Sequence, residues 1–94
     1  MAGFYMVYLD RNLDVTIDDV KKTFDLALEW YRINSELWII YSTGDAEKWY
    51  SRLKKYIKDG GHIFVCKLNI ADRQGWMSKE FWNWLRETRL KYTE

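Results

Sequence analysis

Three short stretches of this chain are dense in β-branched and aromatic residues: Phe4–Asp10 (FYMVYLD), Leu37–Ser42 (LWIIYS) and His62–Ile70 (HIFVCKLNI). Each reads as a strand. In the last, Ile63, Val65 and Lys67 point one way and His62, Phe64, Cys66 and Leu68 the other. The segments between them carry a helical period instead. Val20, Phe24, Ala27 and Leu28 predict a helix over Ile17–Leu28, opened by Thr16 and Asp19 at the spacing of a capping box with Asp in place of Glu. Ala46, Trp49, Tyr50, Leu53, Tyr56 and Ile57 form an apolar stripe along a second helix. Thr43 and Asp45 cap its start, and Asp59-Gly60-Gly61 ends it, with glycine in the left-handed position. Ala71–Met77 reads as a loop, after which Ser78 caps a last helix with Phe81, Trp84, Leu85 and Thr88 on one face.

One segment decides the topology. Glu29–Asn34 (EWYRIN) could extend the first helix, because Tyr31 continues its stripe, or form a short strand, because Trp30, Tyr31 and Ile33 favour β structure. As helix, it gives β-α-β-α-β-α, a small parallel layered fold. As strand, it gives β-α-β-β-α-β plus a helix, an α+β ferredoxin-like sandwich with an extra C-terminal helix. The short connection from Leu28 to Leu37 suits a hairpin and favours the second order.

With 94 residues, the chain is expected to be one domain, spanning 1–94. Six Trp, seven Tyr and four Phe supply burial to a small core, since each ring buries roughly 150–250 Å². Fifteen basic and 14 acidic residues nearly cancel, unlike a general nucleic-acid coat protein. A lone cysteine, Cys66, allows no internal disulfide and suits a reducing, cytoplasmic setting; mid-strand, it reads as a small buried hydrophobe. No apolar run approaches a membrane span, and no signal peptide is expected before the first strand. One His and one Cys are too few for the usual zinc site.

Three strings carry a family resemblance: FYMVYLD ending in Asp10, SELWIIYST, and GWMSKEFWNWL from Gly75 to Leu85. They resemble the small SinR family, which is distinct from the helix-turn-helix repressor of that name. That family is similar in fold to the small CRISPR-associated endonuclease subunit of the spacer-acquisition complex and to VapD-type toxin ribonucleases. The resemblance implies a ferredoxin-like homodimer in which Asp10 from each subunit meets its twin and holds a divalent metal, Mg²⁺ or Mn²⁺. It implies RNA or DNA as partner.

The residues themselves allow a sharp and a bland reading at each place. Asp10, at a strand's end, is positioned for catalysis and metal binding, or simply for bonding local amides; Asp14 is a second carboxylate, and Arg11 could pair with Asp10. Lys48, Arg52 and Lys55, with Lys54 and Lys58, interleave with Trp49, Tyr50 and Tyr56 as a nucleic-acid surface does, or form the solvated face of an amphipathic helix. Acids leading into and along the first helix, among them Asp18, Asp19 and Asp25, could complement those bases in a second copy. Trp76, Trp82 and Trp84 are the candidate partner interface, because positions 82 and 84 project about 200° apart on a helix. A swapped helix or dimer seam would use them. His62 could act as a general base or stand idle on the surface. Ser42-Thr43-Gly44 is too short for a phosphate loop. Two functions follow: a metal-dependent nuclease or nucleic-acid binder, and a non-enzymatic protein-interaction module of a mobile element or toxin–antitoxin system.

Overall fold

The computed structural model describes residues 1–57 and 60–92. Its elements run β1 (Gly3–Asp10), α1 (Ile17–Phe24), β2 (Glu29–Arg32), β3 (Leu37–Ser42), α2 (Ala46–Leu53), a 3₁₀ turn (Lys54–Tyr56), β4 (His62–Lys67) and α3 (Lys79–Lys91). The protein is therefore a small α+β fold. Lys58 and Asp59 lie outside the described residues.

Local chemistry explains most boundaries. The capping box at α1 is complete: Asp19 N donates to Thr16 Oγ1 at 3.1 Å, and Thr16 N donates to Asp19 Oδ2 at 2.9 Å. Those bonds favour the charged carboxylate and hold the Asp19 pKa below its usual range. Asp45 caps α2 through Lys48 N at 2.9 Å, and Ser78 caps α3 through Phe81 N at 3.1 Å. α1 stops four residues before the expected Leu28. Leu26 N and Ala27 N donate to Thr23 O and Phe24 O, tightening the turn, and Leu28 N then donates to Tyr41 O of β3 at 2.9 Å. The sheet thus captures the backbone, and Glu29–Arg32 is a strand rather than more helix. β4 likewise ends at Lys67, before the expected Ile70. Leu68 N still donates to Phe4 O, but Asn69 Oδ1 then accepts from Ala71 N and turns the chain away.

The four strands form one antiparallel sheet in the order β2-β3-β1-β4. Side chains alternate across its two faces. On one face Tyr5, Val7 and Leu9 of β1 and Trp38 and Ile40 of β3 pack against Val20 and Phe24 of α1 and Trp49 and Leu53 of α2. Phe24 stacks on Trp38 with ring centres 4.6 Å apart and on Trp49 at 5.9 Å. On the other face Phe4 and Ile39 pack against Phe81 and Leu85 of α3. Tyr31 and Trp84 add rings to this second core, 5.5 Å apart. The far end of α3 is tied to β2, where Lys91 Nζ and Tyr92 OH both donate to Glu29 Oε2, at 3.0 and 3.2 Å. The Glu29 carboxylate raises the Lys91 pKa. That contribution to stability is present below the ordinary lysine pKa and is lost as pH climbs through the raised one.

α3 covers β2, β3 and the Phe4–Met6 part of β1 only. Cys66, on β4 beyond its reach, is exposed rather than buried as the sequence suggested. His62, Phe64 and Cys66, which alternate along one face of β4, are all exposed, so that face has no layer above it.

The two core tryptophans differ in their polar ends. Trp49 Nε1 donates to Ser42 Oγ at 2.9 Å, whereas Trp38 Nε1 is buried with no hydrogen-bond partner among the described residues. Replacing Trp49 by Phe removes a ring and a buried bond; replacing Trp38 by Phe removes a ring and an unsatisfied donor. Trp49→Phe should therefore destabilise the protein by about 1–2 kcal/mol more than Trp38→Phe in urea unfolding. Equal losses would show that the two indoles are equally satisfied.

Candidate functional site on the uncovered sheet face

Asp10 ends β1, paired in register with His62, the first residue of β4. Two glycines let the chain enter β4 this close. Gly60 has φ +84°, which favours glycine, and a Cβ on Gly61 would lie 3.0 Å from both Asp10 O and Ile57 Cβ. The side chains meet loosely, with His62 Nδ1 and Asp10 Oδ2 3.4 Å apart at an exposed site. Arg11 does not pair with Asp10. Adjacent strand residues point to opposite faces, and its guanidinium instead donates to Val15 O at 2.8 Å and Ser35 O at 2.7 Å.

Two residues further along each strand, on the same face, stand Tyr8 and Phe64, which are also opposite in register. Phe64 is 57% exposed and Tyr8 is half-buried. Partial burial, then the Glu36 and Asp10 carboxylates, push the Tyr8 pKa upward. This half of the face is thus aromatic at its middle and acidic at its end. Neither Tyr8 nor Phe64 was singled out from the sequence. The signal was there in the two-residue alternation that puts Tyr8 beside Asp10 and Phe64 beside His62.

The other expected residues lie elsewhere. Lys48 and Arg52 are on α2 and Lys55 is in the 3₁₀ turn after it, in the layer that covers the opposite face of the sheet. Arg52 lies over the Trp49 ring at 4.8 Å and Lys55 over Tyr56 at 5.3 Å, so part of each basic stem packs on an aromatic of its own layer. The fold brings Asp10 together with His62, but not with the basic helix. Asp14 is exposed in the loop before α1. Ser42 Oγ is occupied by Gly44 N and Trp49 Nε1, both at 2.9 Å, as a structural acceptor. Trp82 and Trp84 are partly buried against the second core, while Trp76 is 97% exposed.

Among the described residues no three carboxylate, imidazole or thiol groups gather as a metal cage. Asp10 offers one carboxylate and His62 one imidazole, whereas Mg²⁺ prefers several oxygen ligands. The donors of one chain do not by themselves fit the divalent ion that the family resemblance implies. Comparisons with family models, curated proteins and solved structures find no match to this chain.

The acidic character can be measured at Tyr8. Glu36→Gln and Asp10→Asn should each lower the Tyr8 pKa toward the ordinary tyrosine value of about 10. A tyrosine-ring NMR titration reads this directly. No change in either variant would mean that burial alone sets the Tyr8 pKa.

Proposed function

We propose that the protein is a homodimeric nucleic-acid-binding protein similar to the small CRISPR-associated and VapD-type nucleases, with Asp10 as its catalytic carboxylate. The fold reading beneath it is a ferredoxin-like sandwich with an added C-terminal helix. Support for that comes from the antiparallel β2-β3-β1-β4 order, with α1 and α2 on one face and α3 on the other.

The observation that carries the functional reading is the grouping of Tyr8, Asp10, His62 and Phe64 on the part of the sheet that α3 leaves open. Exposed rings on a flat sheet accept unpaired bases, because every base has a π-face. Single-stranded RNA or DNA is the substrate class that can offer them. Phosphates next to those bases would come to the Asp10 end, where the acidic groups repel them unless a cation intervenes. In a homodimer the two Asp10 carboxylates together would be the residues to hold a Mg²⁺ or Mn²⁺ ion, which would supply charge neutralisation at the phosphodiester. His62, in contact with Asp10, is placed to hold or take up a proton there. Lys48 and Arg52 of α2, in the helix layer on the opposite face of the sheet, would act as a separate, weaker phosphate contact.

A second reading is a non-enzymatic interaction module for a protein partner. Trp76 favours it, standing almost wholly in solvent where large aromatics usually mark contact sites.

Labelled RNA, single-stranded DNA and duplex DNA, with Mg²⁺, Mn²⁺ or chelator, separate the two. Phe64→Ala should weaken single-strand binding by about fivefold or more, the lower end of what one stacked base contributes. Asp10→Asn should abolish metal-dependent cleavage while leaving binding in place. Absence of binding to all three nucleic acids would overturn the proposal and leave the protein-interaction reading. Cleavage that persists in Asp10→Asn would remove Asp10 from the chemistry.

A further inference from the structure

Between α3 and the sheet, under the loop that leaves β4, lies an apolar groove of about 350 Å³. Ile33, Ile39, Leu68, Ile70, Phe81 and Trp82 supply its walls, and Gly75 and Met77 its lip. The volume is at the small end of the roughly 300–1,000 Å³ of ligand clefts, a size that suits one large side chain. Trp76 sits between the two lip residues but does not enter. Gly75 and Met77 line the groove, while Trp76 stands almost wholly in solvent and leaves the groove beside it open.

We propose that the occupant of this groove is Trp76 of a second copy of the chain, exchanged reciprocally across a two-fold axis. This rests on the homodimer of the reading above and gives it a contact where the chain leaves β4 beside Phe4; the meeting of two Asp10 carboxylates is not part of it. A knob and a hole side by side on one surface make that surface self-complementary, which is what an isologous dimer requires. A single open partner would leave one of the two unfilled. The rim carries the matching charge pattern: Asp72 and Arg73 are adjacent and exposed, and Arg73 is fixed by donating from Nη1 to its own Ile70 O at 2.9 Å. A two-fold axis near the loop places each Asp72 opposite the partner copy's Arg73. Two exchanged indoles and the grooves that receive them account for roughly a third of the ~1,600 Å² buried in a standard interface. The rest would come from the loop and the exposed start of α3.

Sedimentation velocity over a concentration series tests this. Trp76 touches nothing in its own chain's core, so Trp76→Ala should fold normally, as circular dichroism will show. The wild-type protein should dimerise, and Trp76→Ala should self-associate at least roughly tenfold more weakly, as expected for loss of a central aromatic anchor. Asp72→Arg should weaken the dimer, and adding Arg73→Asp should restore it. A wild-type dimer unaffected by Trp76→Ala would overturn this interface while leaving the homodimer standing. A wild-type monomer throughout the series would overturn both.

Discussion

β1 has to satisfy two hydrophobic layers at once, and the rest of the fold follows from how it does so. It is central in the sheet, with β3 on one side and β4 on the other. Tyr5, Val7 and Leu9 face two helices that close over them completely. Phe4, Met6, Tyr8 and Asp10 face a single helix that reaches only the first two. The hydrophobic gradient along this second face, from Phe4 to Asp10, matches the coverage. Where α3 ends its reach, the residues change from core formers to amphipathic and charged ones. A ring with a hydroxyl, a carboxylate, an imidazole and an open phenyl ring can stay exposed without destabilising the domain.

That division was legible in the sequence only on the fully covered side. The stripe Ala46, Trp49, Leu53 and the alternation of β1 and β3 point to a helix packed on a sheet, and the caps at Thr16, Asp45 and Ser78 were readable from residue type and spacing. The end of α1 was not, because the bond from Leu28 N to Tyr41 O joins residues far apart in sequence and outweighs the local helical period. The exposure of Cys66 was equally invisible. A short alternating strand looks the same whether or not a layer covers its second face, and only the docking of α3 on β2 and β3 decides it. Trp82 and Trp84 illustrate the same limit. They diverge on the helix, yet both find partial cover, Trp84 against Phe4 and Tyr31 and Trp82 against Phe81.

The candidate site shows what pattern reading does and does not supply. Asp10 stands out from its place at a strand's end, and its partner does not, because His62 lies 52 residues away and meets it only through the β1–β4 register. The lysines and arginine of α2 stand out by composition, and the fold assigns them to the opposite layer. Charge near a candidate carboxylate and charge somewhere in the chain are different things, and a strand order is needed to tell them apart. Trp76 is the converse case, a large ring in an apolar-looking stretch that the fold leaves almost wholly in solvent.

On the function proposed above, a single-stranded nucleic acid would lie on the open half of the sheet. Titrating ¹⁵N-labelled protein with a short single-stranded oligonucleotide tests that most directly. Amide shifts centred on Tyr8, Asp10, His62 and Phe64, with small changes along α2, are the predicted result. Shifts confined to Lys48, Arg52 and Lys55, or no shifts at all, would contradict it.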